Sequence, residues 1–257
     1  MYLSLCLLVF VLTYLLNTTT ITVGYHRGVA HGAVQLHGPM KRLVTRYGNW
    51  LTGLDPKAWV VMHRRHHKYS DKPDDPHSPV NVGLRGIMGE QLRNYERTIN
   101  GLKRNDPSYT EFAKDLDFDL NWLTRSGMWF APYAVHAAAA LALGFGFHAW
   151  LLGAAYFFGI MSHPIEGGMV NAFGHAIGGR NFDTDDNSRN NHPIAWLVMG
   201  EGFQNNHHRY PASAKFSYRK SEFDPGYLVC RSLQAVGALT IAREQLIPRP
   251  PASTNAR

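Results

Sequence analysis

SGMWFAPYAVHAAAALALGFGFHAWLLGAAYFFGIMSH, residues 126–163, runs for 38 positions without a Lys, Arg, Asp or Glu. A second uncharged stretch of 23 residues, Met1–Val23, opens the chain. Solvated globular chains rarely leave such long runs uncharged, so both predict bilayer-embedded helices. Gly127–Phe147 forms one expected span. His148–Ser162 begins another that continues with more polar character toward Val170, and the Gly-rich Gly144–Phe147 is expected to turn between them. In helical form, the first 23 residues reach about 35 Å, enough to cross a bilayer with some tilt. A signal peptide is disfavoured there, because a basic leader and a small-residue cleavage site are both missing.

The rest of the composition agrees. The chain has 257 residues and 45% apolar content, room for one or at most two domains. Its mean hydropathy of −0.25 means only that most of the mass lies outside lipid. Of the 26 basic residues, 16 fall in 24–126 and 10 in 164–257, with none on the hairpin tip. By the positive-inside rule, 24–126 and 171–247 face the cytoplasm. A net charge of +7 suits anionic lipid, acidic acyl carriers or an acidic electron-donor protein. Nucleic acid is excluded as a partner, since no binding motif accompanies the charge. Cys6 and Cys230 form no CxxC or haem-attachment motif, consistent with a reducing compartment. Within 24–126, an amphipathic surface helix is expected over Leu43–Leu54, a loop at Asp71–Gly83, and helices at Leu84–Leu102 and Tyr109–Leu123. The tail at 248–257 is expected to be disordered.

Chemistry concentrates in four histidine-bearing motifs at the expected membrane boundaries. In His63-Arg64-Arg65-His66-His67, spacings of three and four put three imidazoles on one helical face about 100° wide. Gln204-Asn205-Asn206-His207-His208 repeats that spacing with Gln leading. Asn171 and His175 stand four apart at the end of the last span. His26 and His31 follow the first span, about 140° apart on a straight helix, so they would face different metals or need a bend near Gly28. Eight imidazoles suffice for two metals with four each, and burying so many unpaired would be costly. A zinc-protease HExxH is absent, as is the Glu-x-x-His of carboxylate-bridged di-iron bundles.

The pieces GYHRGVAH (24–31), HRRHHKYSDKPDDPH (63–77), NAFGH (171–175), GRNFDTDDNSRNN (179–191) and GEGFQNNHHRYP (200–211) resemble the membrane fatty acid desaturases, especially the acyl-CoA or stearoyl-CoA desaturase type. The likeness runs from about 20 to about 240. It implies an all-α integral membrane protein, 1–247 as a single domain, with a transmembrane stem (1–23, 127–147, 148–170) under a helical cytoplasmic cap carrying the histidine boxes. It also implies two iron ions held by His26, His31, His63, His66, His67, His175, His207 and His208. Asn171 matches a position that holds iron through a water, and Gln204 stands where many members have a ninth imidazole. O2 is the implied co-substrate, a fatty acyl-CoA or acyl-lipid the substrate and a cis double bond the product, at Δ9 by family frequency.

A separate ferredoxin, rubredoxin or cytochrome b5 type protein must then supply electrons, because the sequence holds no flavin, haem or iron–sulfur motif. A bacterial inner membrane fits better than the endoplasmic reticulum. The family usually has four spans, and the first span here matches its second, so the protein starts late or its start is set too far downstream. A hydroxylase on the same metal platform is the nearest alternative, and a non-catalytic membrane metal-binding protein the alternative of another class. His37, His77, His136, His148, His163 and His192 stand outside the ligand pattern. Asp71, Asp75 and Glu201 are candidates for orienting imidazoles, and Trp59 and Trp196 are expected to be core or interface aromatics.

Overall fold

The computed structural model describes residues 1–244. The tail expected at 248–257 lies outside them. The fold is mostly helical, with one ribbon of two three-residue strands that the all-α expectation did not include.

Helix α1 (Tyr2–Thr19) continues without a break into a π-helical segment, Thr20–Ala30. Its run of Leu, Val and Phe offers no polar face. The hydroxyls of Thr13, Thr18 and Thr20 donate to carbonyls four residues back, at 2.7–2.8 Å, which satisfies them without water. Tyr2–Ala30 is the one helix among the described residues long and apolar enough to cross a membrane.

Strand β1 (Val34–Leu36) follows, then α2 (Gly38–Arg42), a π turn at Leu43–Tyr47, and α3 (Gly48–Thr52). The amphipathic helix expected over 43–54 is thus two short pieces, ended by Gly53 in the left-handed region (φ 76°). Asp55 accepts from the backbone N–H of Lys57 and Ala58 and so starts α4 (Pro56–Tyr69). The loop after it is shorter than expected, because Ser78 already caps α5 (Pro79–Lys103), which kinks at Gly83.

The helix expected over 109–123 is largely absent. Short α6 (Pro107–Thr110), a 3₁₀ turn at Glu111–Ala113 and α7 (Trp122–Arg125) flank an irregular stretch. Asp115-Leu116-Asp117-Phe118-Asp119 is the reason: aspartate is a poor helix former, and Asp115 and Asp117 are drawn out to Arg64 and Lys41.

The apolar hairpin forms as α8 (Ala131–Phe147) and α9 (Trp150–Ile160). Its turn falls at His148, in the left-handed region (φ 52°), one residue beyond the expected Gly144–Phe147. Gly144 serves contact rather than turning: a Cβ there would lie 2.2 Å from the Trp150 ring. The expected third span is split, because Pro164 lacks an N–H and its ring disfavours helix before it. The backbone therefore breaks at Met161–Ser162 and restarts as α10 (His163–Phe173). His136 bonds Tyr156 and the Trp50 carbonyl, the packing role expected of it.

The remainder comprises α11 (His192–Leu197), α12 (Gln204–Arg209), α13 (Pro225–Ala235) and β2 (Leu239–Ile241), which pairs antiparallel with β1 at Val34↔Ile241. Ala58, Val61 and Met62 of α4 pack on Tyr95, Ile99 and Leu102 of α5. A second core joins Val23 to Cys230 and Leu239.

Helix α9 lies against both α1 and α8, and small residues let it approach. A Cβ on Gly159 would meet the Thr13 hydroxyl at 2.0 Å, and one on Gly153 the Ala140 carbonyl at 2.4 Å. Gly159→Leu is expected to destabilise the protein by about 1–3 kcal/mol, read as a lower unfolding midpoint in detergent, whereas Gly146→Leu, with open space around it, leaves the midpoint unchanged.

Candidate metal centre

Four elements bring the eight histidines together. Helix α4 presents His63, His66 and His67, and α12 presents His207 and His208. His175 follows the end of α10, and the π-helical segment supplies His26 with His31 just beyond it. On an ordinary helix His26 and His31 would diverge. Here the His31 N–H donates to the His26 carbonyl at 3.2 Å, the i→i+5 pattern that aligns residues five apart. Their rings lie 5.0 Å apart, and the two face the same point rather than different metals.

His26, His31, His63, His67 and His207 form one group, with ligand atoms within 4.8 Å of one another, and His66, His175 and His208 form a second. In the first group the Nε2 atoms of successive neighbours stand 2.8 Å (His31–His63), 3.0 Å (His63–His67), 2.9 Å (His67–His207) and 2.9 Å (His207–His26) apart. Two donors at right angles on one ion, each with a bond of about 2.0–2.1 Å, would stand about 2.9 Å apart. The spacing fits imidazoles sharing an ion.

Carboxylates fix the tautomers. Asp75 accepts from Nδ1 of His66 at 2.9 Å, Asp71 from that of His175 at 3.0 Å, Asp186 from that of His208 at 2.5 Å and Glu201 from that of His26 at 2.6 Å. With Nδ1 carrying the proton, each Nε2 is left as a lone pair. His66 and His208 then face each other at 3.3 Å with no proton between them, and buried His175 Nε2 has no hydrogen-bond partner. A cation resolves this arrangement, and imidazole suits iron.

The electrostatics keep five of these imidazoles neutral, His66 being the exception. Burial pushes His31, His63, His67 and His207 well below the usual imidazole range, and neighbouring imidazoles add to it. Burial also brings His208 down to about 4 despite Asp186. Burial lowers His66 too, but Asp75, with Asp71 and Asp186, outweighs it and raises the imidazole above its usual range. Burial opposes ionisation of Asp71, yet His175 holds it down at about 2.

Beside both groups lies a cavity of about 410 Å³, bounded by α4, α5, α10 and the π-helical segment. His26, His63 and His66 meet it from the metal side, and Trp59, Met62 and Tyr95 supply apolar wall. Asn171 and Gln204 face the same cavity. Asn171 donates to Gln91 at 3.3 Å, and Gln204 donates to the Glu201 carbonyl at 2.7 Å.

Sequence reasoning missed three features. Asp186 was hidden among the acidic residues of 179–191. His77, whose ring lies 4.6 Å from that of His66, lines the cavity. Trp59 is a cavity wall as well as a core residue: it stacks on His63 with ring centres 4.9 Å apart and donates its indole N–H to His163 Nε2 at 3.0 Å. Their only signals were proximity to the histidine motifs and, for His163, a position at the end of an apolar run.

The fold and site thus define a mostly helical protein with two buried histidine groups, able to hold metal ions, beside an apolar cavity. The chain belongs to the fatty acid desaturase family, whose profile matches residues 3–220. It is similar to the hex-5-enoyl-[acyl-carrier protein] acetylenase of Moorena producens (30% identity, 86% of this protein and 72% of the relative). It is also similar to the sn-1 stearoyl-lipid 9-desaturase of Anabaena variabilis (30%, 86% and 77%) and the icosanoyl-CoA 5-desaturase of Limnanthes douglasii (29%, 86% and 60%). The family is membrane-associated and uses iron.

Histidines depressed below 6.5 in the folded state bind protons first when the protein unfolds, so stability rises with pH between the two values. The metal-free protein should therefore be most stable above about pH 6.5 and lose stability as pH falls toward 4, the value at which His208 titrates. Denaturant midpoints of chelator-treated protein measured from pH 8 to 4 check this.

Proposed function

We propose that this protein is an O2-dependent fatty acyl desaturase that introduces a cis double bond, at Δ9, into a saturated acyl substrate at a di-iron centre. The observation that carries the reading is the pair of histidine groups opening onto one apolar cavity. The first group would hold one iron and the second group the other, and Asn171 and Gln204, which line the same cavity, would add weak ligands, directly or through water.

When bound, the iron pair supplies the oxidising power needed to break an unactivated C–H bond in the middle of a saturated acyl group. Two hydrogens leave the substrate, a donor protein of ferredoxin, rubredoxin or cytochrome b5 type provides two electrons, two protons come from solvent, and O2 ends as two waters. The protein's own residues do the rest. Trp59, Met62 and Tyr95 hold the methylenes and exclude water. Asp71, Asp75, Asp186 and Glu201 keep the imidazoles oriented and their Nε2 lone pairs free.

The same reading treats 1–247 as a single domain. A membrane stem of α1, α8 and α9 stands under a helical cap that faces the cytoplasm, in a bacterial inner membrane. The exposed apolar side chains of α1, α8 and α9, including Leu3, Leu7, Val135, Leu141 and Leu151, support the stem.

Expression in a host lacking unsaturated fatty acids, followed by mass spectrometry, tests the activity: the expected product is two hydrogens lighter, and gain of one oxygen would mark a hydroxylase instead. His66→Ala should abolish that product and lower iron below two per protein molecule. Asp186→Asn should weaken metal affinity by about 10–100-fold, measured by chelator competition, with the helical content unchanged.

A further inference from the structure

Along α5, Leu84, Met88, Leu92, Tyr95, Ile99 and Leu102 follow at steps of four and three, a single apolar stripe. Its second half is covered, because Tyr95, Ile99 and Leu102 pack against α4. Its first half is bare: Leu84 is 46% exposed, Met88 46% and Leu92 49%. Arg85 and Arg93 are exposed beside it, the pattern of a helix lying at a lipid surface with its cations at headgroup level.

The bare half coincides with the edge of the cavity. The rest of the wall is buried or half-buried, with Ile21 4%, Tyr95 3% and Val198 4% exposed, whereas Met88, Leu92 and Phe130 line the cavity and stand about half exposed. The cavity meets the exterior at these three residues. Phe130 leads directly into α8, whose outward side carries the exposed Val135 and Leu141, so the rim is continuous with the apolar surface of the hairpin. Met88 sits over α10, since a Cβ on Gly168 would be 2.3 Å from its sulfur, and Gln91 donates to the Pro164 carbonyl at 2.8 Å. The opening thus lies between α5, α10 and the start of α8, where the hairpin joins the rest of the fold.

Charge argues for what enters. An acyl group linked to a nucleotide or to a carrier protein brings several phosphate or carboxylate groups to the mouth, and these call for arginine or lysine there. None of the described residues lining this cavity is Lys or Arg, and the cations beside its rim, Arg85 and Arg93, are only a sparse pair on the exposed side of α5, suited to the single phosphate or polar headgroup of a lipid. The geometry points to a glycerolipid already in the bilayer as the substrate carrier, its acyl tail entering sideways past Met88, Leu92 and Phe130. This rests on the desaturase reading and adds to it the carrier and the route.

The test uses the full-length protein, iron-loaded, in phosphatidylglycerol vesicles containing a lipid with a diazirine midway along its acyl tail. Photolabelling, which needs no turnover, is expected on cavity-wall residues such as Met62 and Trp59. Leu92→Lys should reduce that labelling about ten-fold while labelling of the α1 outer face stays the same. Labelling confined to the outer faces of α1, α8 and α9 in the unsubstituted protein would overturn the route, whatever any variant does. In parallel, saturated acyl groups are offered as diacyl lipid, as acyl-CoA and on acyl carrier protein, with a reductant system. The lipid-borne form should be converted about ten-fold faster or more, a difference of roughly 1.4 kcal/mol in barrier. Equal or faster conversion of acyl-CoA or acyl carrier protein would overturn the carrier assignment. Conversion of none of them would count against the desaturase reading itself, leaving the labelling to decide the route.

Discussion

One carboxylate, that of Glu201, holds the two ends of this protein in the relation the site requires. It accepts from His26 Nδ1 at 2.6 Å and from Arg27 at 3.1 Å, and Arg27 reaches on to Asp224 at 3.0 Å. Arg27 is wholly buried, stacked 3.7 Å over the Phe216 ring and donating to the Ala214 carbonyl. A buried guanidinium without partners is untenable, and removing one member of such a pair typically costs about 3–5 kcal/mol. The network therefore fixes the π-helical segment against residues 199–226 before any metal is considered. Thr22 bonds both Glu201 and Arg27, which locks the same turn from within.

That constraint explains why the π geometry matters. A π turn is poorly populated in helices at large and recurs at functional sites. Here it turns a spacing of five, which would scatter two imidazoles on a regular helix, into a shared face. With it His26 and His31 complete a ring of five with α4 and α12. The cost of that irregular turn is offset by the buried ion pairs and by Tyr25, whose hydroxyl donates to the Leu54 carbonyl at 2.9 Å.

The reading of the sequence succeeded where periodicity and chemistry agreed. His63, His66 and His67 lie on a regular helix, so their spacing alone gave their common face. Grouping His207 and His208 with them followed from the repeated spacing. It failed where tertiary contact overrides a local signal. Gly144 looked like a turn residue, but it is a contact surface for Trp150. Residues 109–123 looked helical, but their aspartates answer Arg64 and Lys41. The division of eight histidines into five and three, rather than four and four, was out of reach because it depends on a backbone register that no spacing rule encodes. Orientation by Asp186 was equally hidden, since it depends on a loop fold that returns residue 186 to α12.

The two histidine groups differ in more than number. Of the five imidazoles in the first, only His26 meets a carboxylate among the described residues, and Glu201 is itself neutralised by Arg27. In the second, His66, His175 and His208 each donate to an aspartate of their own. Donation to a carboxylate makes an imidazole a stronger base toward a metal, and three aspartates leave that pocket the more negative of the two. Fewer ligands with greater donor strength and charge compensation balance more ligands that are nearly neutral. Asn171 and Gln204 line the cavity together with His66 of the smaller group. An amide at residue 204 costs a donor but no charge, and the three aspartates already carry what electrostatic support the smaller group needs. Gln204 is therefore compatible with both histidine groups being able to hold metal, and its side chain stands at the cavity wall, where it donates to the Glu201 carbonyl at 2.7 Å.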